Sequence, residues 1–256
     1  MKSDALTFSR RAISGRHKPS VNPRILVTGF GPFPDTPFNA SQMLVQDLAE
    51  HAHAYPWYDL VRTAILPTDW TQAPLEVERL TREIEPDVIL HLGVSSRTRC
   101  FEIESRAFNA ARDRPDCSGS FPAGHYVRRG GPPVLSATLP LHLIRSQLRS
   151  ARIPASLSKD AGRYLCNAVF YQSLLTAQAA GRLTLAGFIH IPALSAFDID
   201  ANAASNALLG WASLKMGLAI IINTMIVHAR ERQRQAMRLP RNRLKSGTVA
   251  RKRVSP

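Results

Sequence analysis

The chain of 256 residues, 45% hydrophobic and 20% charged with a formal charge of +14, is long enough to bury most of its apolar surface in one domain without disulfide staples. A charge of this size points to a nucleic-acid partner only if it lies on the folded core, but residues 1–24 hold a net +5 and residues 230–256 a net +9, leaving residues 25–229 neutral. Three cysteines, Cys100, Cys117 and Cys166, form no C-x-x-C pair, which argues against a disulfide framework and a cysteine zinc site and fits a reducing, cytosolic setting.

Residues 1–24 contain no apolar run long enough for a secretory segment and read as a disordered basic extension. The run from Arg24 to Gly29, RILVTG, is a buried strand ended by glycine. Ser41 is the expected N-cap of a helix whose apolar positions are Met43, Leu44, Leu48 and Ala49. Tyr58–Leu66 reads as a strand, Thr71–Ile84 as a helix with Leu75, Val77 and Leu80 facing inward, and DVILHLG (Asp87–Gly93) as a second buried strand. FEIESRAFN (Phe101–Asn109) alternates like a strand. RDRPDCSGSFPAGHYVRRGGPP is rich in turn formers, a long loop whose length suggests function or mobility.

Further on, a short strand around Val134–Thr138 precedes a helix from Pro140 to Ala151, a short strand near Ala155–Leu157, a helix carrying Cys166, and the strand LTLAGFIHIP (Leu183–Pro192). A long helix from about Ala203 closes the core. Its stretch ALLGWASLKMGLAIIINTMIVHA is interrupted by Lys215 and Asn223, so packing rather than membrane crossing is expected. Residues 230–256 read as a basic, disordered tail, able to touch nucleic acid or anionic lipid only through unspecific charge. Alternation of strand and helix predicts a mostly parallel sheet with helices on both faces.

Three residues converge on one edge of that sheet. Cys166 stands at a loop-to-helix junction, where unpaired N–H groups and the helix dipole favour a thiolate and a developing oxyanion. His190 ends the strand one helix later, and consecutive parallel strands would bring it to the same edge as Cys166; an imidazole there can take the thiol proton. A carboxylate must orient that imidazole. Glu104 sits in an apolar strand context, Glu102 has the same parity, and the pattern does not choose between them.

These residues and their surrounding motifs resemble the pyroglutamyl peptidase I family of cysteine peptidases, from about Arg24 to Ala229. ILVTGFGPF with Asn39, LPTDW, DVILHLG, IESRAFN, SATLPL, AGRYLCN and GFIHIP occur in the family's order. The resemblance implies a single-domain three-layer α/β/α fold around a twisted, mostly parallel sheet, of the phosphorylase/hydrolase-like kind. It implies Cys166 as nucleophile, His190 as general base and acid, and Glu104 as orienting carboxylate. Phe30 and Phe33 resemble the aromatic pair that grips the lactam ring, with Leu165 beside the nucleophile as a further substrate contact.

The implied reaction releases N-terminal pyroglutamate through a thioester with no metal or organic cofactor, and a homo-oligomer is a further implication. The chain departs from the family at Thr98, where an arginine is usual, at Pro34-Asp35, and in the loop AARDRPDCSG. Two other readings stay open: a cysteine hydrolase of another cyclic or acyl amide, and a non-catalytic scaffold binding nucleic acid or acidic partners through its tails.

Overall fold

The computed structural model describes residues 22–33, 38–179, 184–194 and 209–238. Pro34, Asp35, the position near Ala203 where the last helix is expected to begin, and the terminal stretches 1–21 and 239–256 lie outside them.

Three contiguous apolar runs make the centre of the sheet: β1 (Ile25–Phe30), β3 (Val88–Ser95) and β8 (Leu185–Pro192), with every residue of β1 and β8 buried. Runs buried on both faces are what a central parallel sheet requires. The strand order is β2-β1-β3-β8-β4-β7, with β2 at Val61–Leu66, β4 at Phe101–Glu104 and β7 at Ala155–Ser158. β2, β1, β3 and β8 are parallel. β4 runs antiparallel to β8 and parallel to β7, so the last two strands oppose the other four.

Helices cover both faces, giving the expected three layers. α1 (Ala40–His51), α3 (Leu141–Ser150) and α5 (Trp211–Arg238) pack on one core cluster; α2 (Gln72–Ile84) and α4 (Leu165–Ala179) pack on the other. α5 is long and apolar enough to cross a membrane by length and composition, but Leu214, Leu218, Ile221, Ile222 and Met225 are buried in the domain core.

Several local expectations are corrected. Asn39, not Ser41, caps α1: its Oδ1 accepts from the Ser41 backbone N–H. Leu75 is 53% exposed, whereas Val77 and Leu80 are buried as expected. Val45 takes the inward place given to Ala49, which is exposed. Residues 58–60 form a 3-10 turn ahead of β2. The strand expected over Phe101–Asn109 breaks at Ser105, after which β5 (Arg106–Phe108) leaves the main sheet to pair with β6 (Val134–Ser136). At the ends, the backbone of Arg24 is tied to Asp87. α5 continues to Arg238, past residue 229, although its last buried residue is Ala229.

The loop between β5 and β6 has no regular structure but is firmly tied. Asn109 donates to the carbonyls of Arg128 and Gly131 and accepts from the Arg128 N–H, closing its ends. Asp116, 4% exposed, accepts from the N–H groups of Trp70, Ser118 and Ser120. Burial alone would raise the Asp116 pKa, but these hydrogen bonds outweigh it and lower it. The carboxylate thereby anchors the loop over the end of the sheet where β1, β3 and β8 finish.

Candidate active site

Cys166 is the second residue of α4 and half-buried. The chain reaches it from β7 by a tight turn in which Asp160 Oδ1 accepts from the Gly162 N–H, and Gly162 has φ +81°, a conformation that favours glycine. The first turn of α4 is fastened from its other side. Asn167 donates to the carbonyls of Phe108 and Ala110 and accepts from the Phe108 N–H, which fixes the backbone that carries the thiol. Sequence reading quotes Asn167 within its motif but assigns it no task; a buried polar residue beside a candidate nucleophile is the signal that could have found it.

His190 lies on β8, and its Nδ1 is 2.8 Å from Oε1 of Glu104, both groups almost fully buried. Glu102 faces His190 in register across the β4–β8 ladder, and Glu104 faces Phe188. The diagonal neighbour, not the direct one, reaches the imidazole. Cys166 also lies close enough to the ring to act on its protonation. The structure therefore brings together Cys166, His190 and Glu104. The route differs from the expected one: β7 and β8 are not parallel neighbours, because β4 lies between them and runs against β8.

Two buried histidines show why only one suits proton transfer. His91, on β3, has hydroxyl partners: Thr28 Oγ1 at 2.6 Å from Nδ1, and Ser173 at Nε2. Burial lowers its pKa to about 3, so it stays neutral. For His190 burial also pulls downward, but hydrogen bonds to Cys166 and Glu104 and the charges of both outweigh it, raising the ring to about 10. A proton offered to His190 is held.

The thiol opens on a cleft of about 370 Å³ walled by Phe30, Phe33, Val94 and Tyr164, with Asn39 and Arg114 at its edge. Phe30 and Phe33 thus both line the cavity. Leu165 does not: it is fully buried in the core cluster beneath α4, because the helical turn that aims Cys166 outward aims its neighbour inward. Tyr164, unassigned by sequence reading, packs against Phe33 at 5.7 Å and edge-on to Trp70 at 5.2 Å, and Arg114 lies over its ring at 4.9 Å. Tyr164 also donates to the Pro115 carbonyl, so the loop forms part of the mouth. Thr98 is turned away into a local bond with the Cys100 N–H. A larger groove of about 830 Å³ lies at the opposite end of the sheet, beside Pro86 and Thr184, and contains neither the thiol nor the imidazole.

Gly93 is the floor under the sulfur. A Cβ there would come 2.6 Å from the Phe188 ring and 3.1 Å from Cys166 Sγ. Gly93→Ala is therefore expected to push the ring and the thiol apart, lowering kcat by about 100-fold while destabilising the fold by about 1–3 kcal/mol. Steady-state kinetics beside a thermal melt check this; wild-type kcat in the variant contradicts it.

The family model for pyroglutamyl peptidase matches residues 23–228. The chain belongs to the pyroglutamyl peptidase family. Among relatives, it is 37% identical over 175 residues to pyrrolidone-carboxylate peptidase 1 of Ralstonia nicotianae, covering 68% of this chain and 80% of that one. It is 33% identical over 180 residues to the pyrrolidone-carboxylate peptidase of Pyrococcus furiosus, covering 69% and 84%. The solved structure of pyroglutamyl peptidase I from Bacillus amyloliquefaciens superposes with a TM-score of 0.71 at 27% identity, over 81% of this chain and 98% of that chain. This pyroglutamyl peptidase family member carries the tied loop, the reversed strands β4 and β7, and the aromatic cleft.

Proposed function

We propose that the protein is a cysteine exopeptidase that releases pyroglutamate from the N-terminus of peptides, with Cys166 as nucleophile, His190 as general base and acid, and Glu104 as its orienting carboxylate. The observation that carries this reading is Cys166 lining the cleft bounded by Phe30 and Phe33, with His190 close to it and Glu104 Oε1 on Nδ1 of that ring.

His190 holds the thiol's proton as an imidazolium, and the Sγ thiolate attacks the carbonyl that joins pyroglutamate to the next residue. The carbonyl oxygen becomes an oxyanion, which the free N–H groups in the first turn of α4 are placed to receive. Collapse expels the amine, which takes the proton from His190 and leaves a thioester on Sγ. Water, deprotonated by His190, attacks that thioester; pyroglutamate departs and the thiol is restored. Throughout, Glu104 Oε1 accepts from Nδ1–H, keeping the other ring nitrogen for the thiol and stabilising the cation formed at each transfer.

The cleft suits the substrate. A lactam is small, flat and uncharged, and rings such as Phe30 and Phe33 cover its faces without a charge to match. Asp116 lines the same cavity, but its oxygens already accept from the backbone N–H groups of Trp70, Ser118 and Ser120. With three free thiols, the protein belongs in a reducing compartment, and the cytoplasm is the setting we assign.

Full-length protein is expected to hydrolyse a fluorogenic pyroglutamyl amide at least about 100-fold faster in kcat/KM than the corresponding prolyl amide, whose ring carries a charged amine into an apolar cleft. Folded protein that leaves the pyroglutamyl amide intact overturns the assignment. Hydrolysis of another cyclic or acyl amide in its place would favour the broader cysteine-hydrolase reading.

A further inference from the structure

Glu104 is completely buried, yet only one of its two oxygens is used. Oε1 meets His190, and Oε2 has no hydrogen-bond partner among the described residues. An ionised oxygen left unpaired away from water is destabilising. Glu102 lies two residues earlier on β4, hence on the same face of the strand, and directly opposite His190. Glu102, Glu104 and His190 each bring a polar atom within 4.8 Å of the others. That spacing is closed by a change of side-chain rotamer or by one bridging water.

We propose that Glu102 is a positioning residue that acts as a carboxylic acid, donating its proton to the unused Oε2 of Glu104 and so fixing the carboxylate that orients His190. The bond is O–H to O⁻; one proton is shared within the pair and none is consumed.

The surroundings favour that protonation state. Burial and then the charge of Glu104 raise the Glu102 pKa, against the opposing effect of His190. Two carboxylates this close do not both stay ionised readily, and a shared proton relieves the repulsion. Among the described residues the titratable groups facing Glu102 are Glu104 on its own strand and His190 on β8; β7 presents the neutral Ser156 opposite it. α4 contributes Cys166, which acts on His190 rather than on Glu102. Because Glu102 is half-buried while Glu104 is fully buried, its proton equilibrates with solvent.

The proposal rests on the Cys166, His190 and Glu104 assignment but not on the identity of the substrate. Its test is the pH profile of Cys166 alkylation by iodoacetamide, followed by peptide mapping, together with kcat and KM on the pyroglutamyl amide. E102Q keeps a donor, its amide N–H, and is expected to stay within about threefold of wild type near neutral pH while one ionisation disappears from the alkaline limb of the profile. E102A, with no donor, is expected to lose about 10- to 100-fold in kcat with little change in KM.

Wild-type alkylation and turnover in E102A overturn the proposal, as does E102Q impaired as deeply as E102A. If E102A does not fold, the E102Q profile decides alone, and an unchanged alkaline limb overturns it. If the wild type ignores pyroglutamyl substrates, the substrate reading fails while the alkylation profiles still decide the role of Glu102.

Discussion

A Cys166→Ala protein is expected to keep its thermal transition within a few degrees of wild type and to lose at least about 10³-fold in kcat/KM on the pyroglutamyl amide. The two halves of that result come from different properties of the residue. Cys166 is half-buried at the start of a helix whose backbone is held by Asn167, so removing one sulfur opens little space and breaks no backbone tie. Removing the nucleophile leaves only binding and oxyanion stabilisation, which cannot form the thioester. Cys166→Ser is expected to fall almost as far, because a hydroxyl is a weaker nucleophile than a thiol at the same ring. Labelling needs peptide mapping, since Cys117 is exposed and will react with iodoacetamide on its own account. Turnover by Cys166→Ala above one per cent of wild type would rule out the thioester route.

The second large effect is at Glu104. Glu104→Gln is expected to lower kcat by about 10³- to 10⁴-fold, because an amide that donates toward Nδ1 selects the wrong tautomer of His190. Glu104→Leu should in addition destabilise the protein by about 3–5 kcal/mol, since it leaves a buried imidazolium without its counter-charge. The stability of the wild type against pH follows the same pair. The folded-state His190 pKa is raised to about 10 from the 6.5 of a free imidazole, so its contribution is complete below pH 6.5 and is lost as pH rises toward 10. The slope is at most about 1.4 kcal/mol per pH unit for one proton. Denaturant unfolding at pH 6, 8 and 10 should show this decline in the wild type and a flatter line in Glu104→Gln. Equal slopes in the two proteins would show that Glu104 does not hold the His190 proton.

The layers of the fold were legible because β1, β3 and β8 are unbroken apolar runs, and a run buried on both faces has few other places to go. Strand direction was not legible. The side chains of FEIE alternate in the same way whether β4 runs with β8 or against it, and the antiparallel register sets Glu102 directly opposite His190 while Glu104 reaches the ring as the diagonal neighbour. Leu165 was misread for a related reason: adjacency to Cys166 in sequence means divergence on a helix, where neighbours point about a quarter-turn apart or more. Asn39 and Ser41 both carry capping chemistry, and only the backbone geometry chooses between them. Tyr164 and Asp116 were missed because the mouth is assembled from the long loop, the end of β1 and the entry to α4, pieces whose meeting no local pattern records.

The reversal of β4 also sets a direction for solvent. Had that strand run with its neighbours, its last residue would have finished beside the ends of β1, β3 and β8, at the wet rim. Running the other way, it delivers Glu104 below His190, opposite Phe188 and completely buried, while Cys166 remains open to the cleft. The relay is thus dry at one end and wet at the other. A water molecule can reach the acyl sulfur without passing the carboxylate, whereas ions from bulk solvent meet the imidazole first. The carboxylate is insulated from the salt and buffer that bathe the thiol, and its hold on the ring should vary little with ionic strength.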